Sequence, residues 1–156
     1  MTTSVPAGVT MVWQRIPAGQ GSTNALTRTN YHRNKTMRTV LLVLPNERPI
    51  SWNDFYSGQH WSVRKAEKDR VQMVVRSVLD PDTDIFDRPV EITVSAFFDK
   101  RPLDSSNIAA KLYEDAIKGW IIRDDDWQHV RSVTTRSHMD RKNPRVEILI
   151  EESRLG

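Results

Sequence analysis

Two acidic points, Asp104 and the triplet Asp124-Asp125-Asp126, flank a predicted helix over residues 107–119. Neighbouring carboxylates repel one another and add nothing to a hydrophobic core, so they are most often gathered around a hard cation such as Mg²⁺. A helix of this length rises about 20 Å, and Gly119 suits a chain reversal at its C-terminus. Residues 120–123 return about 13 Å if they are extended. We therefore expect the two points to meet in one acidic site.

The predicted helix is amphipathic, which supports this placement. Apolar residues recur at helical spacing on one face: Ala109, Leu112, Tyr113, Ala116 and Ile117. Polar residues fall in one stripe on the other face: Asp104, Asn107, Lys111, Glu114 and Lys118. A second interpretation needs no metal, because Asp104 or Ser105 could cap the helix. The triplet would then be a solvated turn and the stripe an ordinary wet helix face.

Composition limits the classes of protein that the chain can belong to. Its 156 residues suffice for one domain with a sizeable core, and the absence of cysteine excludes disulfides and thiolate metal sites. No apolar run is long enough to span a bilayer, and the first residues do not resemble a secretory signal, so we expect a cytoplasmic protein. The net charge is +3, but residues 1–46 contain no Asp or Glu. They do contain five basic residues: Arg15, Arg28, Arg33, Lys35 and Arg38. Such residues either attract a polyanion such as nucleic acid or are simply solvated.

The elements that must position these residues follow from hydrophobic periodicity. Residues 1–36 show no sustained period, so we expect a flexible basic extension before one folded domain over residues 37–156. In that domain the pattern predicts strands and helices in alternation: strand 38–44, helix 60–79, strand 90–98, helix 107–119, and strands 128–137 and 146–150. The order β-α-β-α-β-β predicts an α+β domain, with a small mixed sheet of about four strands and two packed helices.

An ordered set of motifs also resembles a known family. The set comprises Leu44-Pro45, Pro49-Ile50-Ser51-Trp52-Asn53, Tyr56, a basic helix, Asp104-x-x-Asn107, Lys111 and the Asp triplet. It is similar to the RusA-like Holliday junction resolvases of phages and prophages, over about residues 37–152. The block at residues 101–130 carries most of the resemblance, and residues 44–70 carry the rest. The resemblance implies a Mg²⁺-dependent endonuclease that cuts branched DNA as a homodimer in the cytoplasm of a bacterial host.

By position, the resemblance implies catalytic roles for Asp104, Asp125 and Lys111. It places Mg²⁺ among five side chains with oxygen atoms: Asp104, Ser106, Asp124, Asp125 and Asp126. Of the three aspartates in the triplet, one or more would be ligands. Asn107 would hold a carboxylate or a water beside them. Ser106 departs from the family, which usually has Asp-x-Asp-Asn here, and a hydroxyl carries no charge for Mg²⁺. Two other interpretations stay open: a structure-specific DNA-binding protein that has lost cleavage, and a phage protein that binds a host factor.

Basic and aromatic residues indicate where DNA would lie. The side chains that we expect to neutralise phosphates are Arg64, Lys65, Lys68, Arg70, Lys100 and Arg101, although such charges are often only solvated. Aromatic residues are dense around one loop: Trp52, Phe55, Tyr56 and Trp61. They either stack on unpaired bases or form a dimer seam and the core of the loop.

Overall fold

The computed structural model describes residues 37–154, and the extension expected over residues 1–36 lies outside the described residues. The described chain is an α+β domain, as predicted. Its strands are β1 (Thr39–Pro45), β2 (Val90–Phe98), β3 (Val130–Met139) and β4 (Arg145–Glu152). Its helices are α1 (Trp52–Tyr56), α2 (Trp61–Val78) and α3 (Lys111–Ile117), with a 3₁₀ turn over Ser105–Asn107. Between residues 37 and 154, no helix is both long and apolar enough to cross a bilayer.

The four strands form one mixed sheet in the order β1-β4-β2-β3, which confirms the predicted sheet. β4 runs antiparallel to β1 and β2, whereas β2 and β3 are parallel. A parallel pair needs a long crossover connection. Here that connection contains Asp104, α3 and the Asp triplet, so the residues of the predicted site all lie in one crossover.

Alternation along the strands decides which face of the sheet is buried. Residues Val90, Ile92, Val94, Ala96 and Phe98 of β2 are buried, and the residues between them are half-buried. β1 and β4 alternate in the same way, and their inward side chains form one core with those of α2 and α3. β3 lies at the edge of the sheet and is exposed along most of its length, which explains its weak alternation in the sequence.

The predicted basic helix is present as α2 (Trp61–Val78), within a residue of its expected ends. The ring of His60 accepts a hydrogen bond from the Ser62 N–H (3.3 Å) and so caps the first turn. Val71, Val75 and Val78 are buried as predicted. Val63, expected in the same apolar stripe, is 49% exposed. The helix therefore packs on the sheet through its C-terminal half.

The helix predicted over residues 107–119 is wrong in its extent, because only Lys111–Ile117 form α3. Ile108 makes an isolated bridge to Ser51, and the Ala109 N–H donates to the Ile50 carbonyl (3.2 Å). A backbone N–H that bonds to another segment cannot also bond to the preceding turn of a helix. The loop before α1 therefore takes the hydrogen bonds that a longer helix would have used.

The expected extended return over residues 120–123 is also wrong. The N–H groups of Trp120 and Ile121 both donate to the Ile117 carbonyl (3.1 and 3.0 Å), so the chain makes a tight turn there. Gly119 has φ 77°, a conformation that favours glycine, which confirms the predicted reversal. The tight turn brings Asp125 back to the first residue of α3 by a shorter route than an extended segment would take.

Candidate active site

Asp104 lies in the loop after β2, and neighbouring elements hold this loop from both sides. The Ser137 hydroxyl of β3 donates to the Leu103 carbonyl (2.5 Å). The Asn107 side-chain oxygen accepts from the Asn53 N–H (3.3 Å), which joins the 3₁₀ turn to α1. The position of Asp104 is therefore determined by contacts with two other elements.

The Asp104 side chain does not cap the turn that follows it. It occupies the residue before Ser105–Asn107 but makes no capping hydrogen bond, and it is exposed. Within residues 37–154 its carboxylate has no hydrogen-bond or ion-pair partner. Ser105 and Ser106 are also exposed. The capping interpretation therefore does not describe Asp104, and its carboxylate is accessible to a ligand.

Lys111 and Asp125 form the central contact of the site. They are 14 positions apart, and the Lys111 ammonium hydrogen-bonds the Asp125 carboxylate. Lys118 also reaches Asp125 (2.7 Å) and Asp124 (2.6 Å). The hydrogen bond from Lys111, and after it the hydrogen bond from Lys118 as the second-largest cause, hold the pKa of the Asp125 carboxyl well below its usual range. The fold thus brings together Lys111 and Asp125, the two residues of this contact for which the resemblance implies catalytic roles.

Two further carboxylates on α3 surround Lys111. Glu114 (3.4 Å) and Asp115 (3.3 Å) both form ion pairs with its ammonium. Glu114 is buried, contrary to its predicted place on a wet face, and burial raises the pKa of its carboxyl. Burial by itself lowers the pKa of Lys111, but the hydrogen bond to Asp125 and the two nearby carboxylates outweigh it, so that this pKa is raised. Lys111 is therefore a persistent cation.

The third aspartate of the triplet has a structural role. Asp126 Oδ1 accepts hydrogen bonds from the N–H groups of Gln128 (3.0 Å) and His129 (3.1 Å), and from the His129 ring (2.6 Å). The hydrogen bond with the His129 ring is the main cause that lowers the pKa of Asp126. These bonds shape the turn that leads into β3. Asp124 and Asp125 are the members of the triplet that lie beside the lysines.

Asp104 and Asp125 carry carboxylate donors of the kind that Mg²⁺ prefers, but no hydrogen bond or shared partner in the described residues joins them, and the site's carboxylates are not gathered into a cage. Over the described part of the chain, no three acidic or histidine side chains are grouped so that they could hold a metal ion. Mg²⁺ does not require such a cage, because it is usually bound by one or two carboxylates together with waters and substrate phosphates. Asp104 offers an accessible carboxylate, and Asp125 offers one whose present partners are lysines.

Three of the six basic residues expected to bind DNA, all of them on α2, are engaged with acidic neighbours. Lys65 pairs with Asp69 (2.6 Å), and Lys68 pairs with Asp115 (2.9 Å). Lys100, Arg101 and Arg64 have no ion-pair partner between residues 37 and 154, and Lys100 and Arg101 are exposed. α2 therefore presents less free positive charge than its sequence suggests.

Arg70 belongs to a network that the sequence analysis did not identify. Its guanidinium donates to both carboxylate oxygens of Glu47 (3.0 and 2.9 Å) and to Glu67 (2.8 Å). Glu47 is 5% exposed and also accepts from the Tyr113 hydroxyl (3.0 Å). The hydrogen bonds of Glu67 and Glu47 raise the pKa of Arg70. No local signal reveals this network, because Arg70 and Tyr113 are 23 and 66 positions from Glu47.

The aromatic residues around α1 divide into two groups. Trp52 and Phe55 pack against the core, and the Trp52 ring stacks on Tyr56 with centroids 5.5 Å apart. Tyr56 and Trp61 are 62% and 63% exposed. The inner pair is therefore the core of the loop, whereas the outer pair is accessible to a partner.

No family model and no curated protein matches this chain.

The Lys111–Asp125 pair predicts an unusual titration. Asp125 should stay ionised well below pH 3.9, the usual value for an aspartate, because two lysines favour its charged form. Its pairs stabilise the fold above the unfolded pKa, and this contribution is lost as the pH falls through the lower folded value. Carboxyl ¹³C NMR in the Lys111→Ala variant should show the pKa of Asp125 shifted upward. Asp140, whose lowered pKa depends on Arg145, is the internal control and should not move.

Proposed function

We propose that this protein is a Mg²⁺-dependent endonuclease that cuts branched DNA symmetrically, as a homodimer. The observation that carries the proposal is the ion pair of Lys111 and Asp125 at the start of α3. The accessible Asp104 carboxylate in the same crossover adds to it. The proposed setting is the cytoplasm of a bacterial host, with the protein encoded by a phage or prophage.

Each of these side chains has a task that its chemistry allows. Asp104 and Asp125 would hold Mg²⁺, which when bound neutralises phosphate charge and acidifies a water. The Lys111 ammonium has three donors, which it shares among Asp125, Glu114 and Asp115. To donate to a phosphoryl oxygen it would exchange one of its two longer contacts, with Glu114 or Asp115, and keep Asp125 in place. Its side chain is 43% exposed, which leaves room for that contact. Positive charge placed where negative charge develops lowers the barrier of a phosphoryl transfer.

A specific observation favours one alternative, a structure-specific DNA-binding protein without cleavage. Lys111 and Lys118 already neutralise Asp125, and Ser106 adds no charge to the site. In that case the ion pairs would serve only to attach the turn at residues 123–126 to α3. DNA binding without cutting at any Mg²⁺ concentration would favour this alternative.

The decisive test is cleavage of a labelled synthetic four-way junction. With Mg²⁺ we expect two cuts placed symmetrically across the junction, and with EDTA we expect none. A linear duplex of the same sequence is the control and should stay intact. If the junction remains uncut with Mg²⁺ or Mn²⁺ while the protein binds it, the nuclease proposal is wrong and the DNA-binding alternative stands.

The proposal also predicts a dimer in solution without DNA. A four-way junction is nearly two-fold symmetric, so a C₂ dimer supplies two matched sites for two cuts. Exposed Tyr56 and Trp61 beside α1, and exposed Val133 and Met139 on the edge strand β3, offer apolar surface for such a contact. Sedimentation at micromolar concentration should give twice the 18.1 kDa of one chain. A monomer would argue against paired cutting.

A further inference from the structure

One end of the sheet brings three loops together. β1 and β2 both run antiparallel to β4, and β3 runs parallel to β2. The C-terminal ends of β1, β2 and β3 therefore all lie at the same end of the sheet. The loops at this end of the sheet comprise residues 46–51, 99–104 and 140–144. The Asn46 N–H donates to the Pro144 carbonyl (2.9 Å), and the Asp140 N–H donates to the Phe98 carbonyl (2.8 Å). The three loops are therefore held side by side.

These loops carry a set of exposed cations, which we call the basic rim: Arg48, Lys100, Arg101, Arg141 and Lys142. The same loops contain four acidic residues, Glu47, Asp99, Asp104 and Asp140. Glu47 is paired with Arg70, and the exposed Asp104 leaves the five cations in excess. Asp140 is paired with Arg145 (2.9 Å) outside the rim, and Asp99 lies 3.8 Å from Arg48, in an exposed contact. An exposed pair of this kind contributes little binding energy, so Arg48 remains available to an anion.

The opposite end of the sheet has more negative than positive side chains, because its carboxylates outnumber its arginines, which are Arg38, Arg88, Arg154 and, beside Asp87, Arg123. The loop that leads into β2 and the end of β4 hold exposed or half-buried carboxylates: Asp80, Asp82, Asp84, Asp87, Glu151 and Glu152. The described domain is thus polarised along its strands. A polyanion is attracted to the basic rim and repelled from the other end.

Shape agrees with charge at the basic rim. A cleft of about 270 Å³ lies between Arg48, Phe98, Lys100 and Pro144. A second cleft of about 490 Å³ shares Arg48 with it and extends to Leu103, the residue before Asp104. The two clefts share Asn46, Glu47 and Arg48, so the rim borders both of them. The second cleft is also lined by Asp54 and Glu67, and it reaches the residue before Asp104.

We propose that the basic rim binds the phosphate backbone of a duplex arm and directs it to Asp104. This inference rests on the proposed function, and it assigns the DNA-binding role to the strand ends rather than to α2, whose Lys65, Lys68 and Arg70 are paired with carboxylates. Four strands spaced about 4.8 Å apart spread the rim over roughly 15 Å. That span is comparable with the major-groove width of about 12 Å, so the rim can contact phosphates on both sides of the groove.

The test compares two variants that each remove two positive charges. Arg141→Gln with Lys142→Gln alters the rim, and Arg88→Gln with Arg154→Gln alters the acidic end. All four side chains are exposed, so the melting temperature of both variants should match the wild type. Binding is measured by fluorescence anisotropy in EDTA, with a labelled four-way junction and with a linear duplex, between about 50 and 200 mM salt.

We expect the rim variant to bind both DNAs roughly tenfold more weakly, with a salt slope reduced by about 1 to 2, as lost phosphate contacts require. The control variant should bind like the wild type. If the rim variant keeps its affinity and slope while Arg64→Gln with Lys65→Gln loses both, the inference is wrong and the proposed function survives. If the wild type binds neither DNA, both are wrong.

Discussion

Asp104→Asn and Asp125→Asn are each expected to lower the rate of junction cutting by about a hundredfold to a thousandfold, which is the effect of removing one group that stabilises transition-state charge. Asparagine has the shape of aspartate but carries no negative charge for Mg²⁺. Both side chains are at least partly exposed, so stability should change by only about 1 kcal/mol or less. Junction binding should persist or tighten, because a negative charge facing DNA has been removed. Single-turnover cleavage and anisotropy measure the two effects separately.

Neighbouring substitutions sharpen this prediction. Lys111→Ala should slow cutting with a smaller effect on binding, because its charge is needed mainly in the transition state. Ser106→Asp should raise Mg²⁺ affinity and cutting, since it restores the acid that the RusA-like pattern has at this place. Asp82→Asn, at the acidic end of the sheet, is the matched control and should leave the rate unchanged. If Asp104→Asn and Asp125→Asn cut like the wild type, these aspartates are not part of a catalytic site.

Glu47→Ala is expected to lower the free energy of unfolding by about 2–4 kcal/mol, the largest loss that we predict for a single polar side chain. The substitution leaves the buried Tyr113 hydroxyl without its partner and removes two charge-assisted bonds from Arg70. Arg70 is 41% exposed and keeps Glu67, so the cost stays below that of a fully buried unpaired charge. Thermal or denaturant unfolding measures the loss.

Glu67→Ala is the matched control for Glu47, because it removes the other carboxylate of Arg70 without touching Tyr113. The Glu67 side chain is 21% exposed, and its ion pair with Arg70 lies within α2. We therefore expect Glu67→Ala to lower the free energy of unfolding by about 1 kcal/mol or less. Tyr113→Phe should destabilise the wild type but have little further effect in the Glu47→Ala background, because the shared hydrogen bond is already lost. Equal costs for Glu47→Ala and Glu67→Ala would show that the network does not act as a buried unit.

The network also connects the core to the loop that carries Arg48 of the basic rim. Glu47 lies in the loop directly after β1 and bonds to α2 and α3 at once. It lies between Asn46 and Arg48, which border the cleft at the basic rim. Partial loss of the network should therefore loosen the loop that carries Arg48 before it unfolds the domain.

Much of the fold could be predicted from the sequence because the relevant signals are local. The strict alternation of β2 and the stripe of Val71, Val75 and Val78 follow from the geometry of a strand and a helix that are each buried on one face. Gly119 could be placed at a reversal because only a residue without a side chain adopts its backbone angle at low cost. Spacing also predicted that the acidic triplet returns towards the start of the helix, whereas the role of Lys111 was implied only by the resemblance.

Other features depend on partners that are distant in the sequence, and only the tertiary structure decided them. Whether residues 108–110 join α3 depends on the backbone of Ile50 and Ser51, which compete for their hydrogen bonds. Whether Arg70 is free for DNA depends on Glu47, 23 positions away. The residues of the basic rim are scattered over three loops, and the rim forms only because the directions of the strands bring those loops to one end of the sheet. Local patterning therefore determined which elements form, whereas tertiary contacts determined which side chains remain free to act.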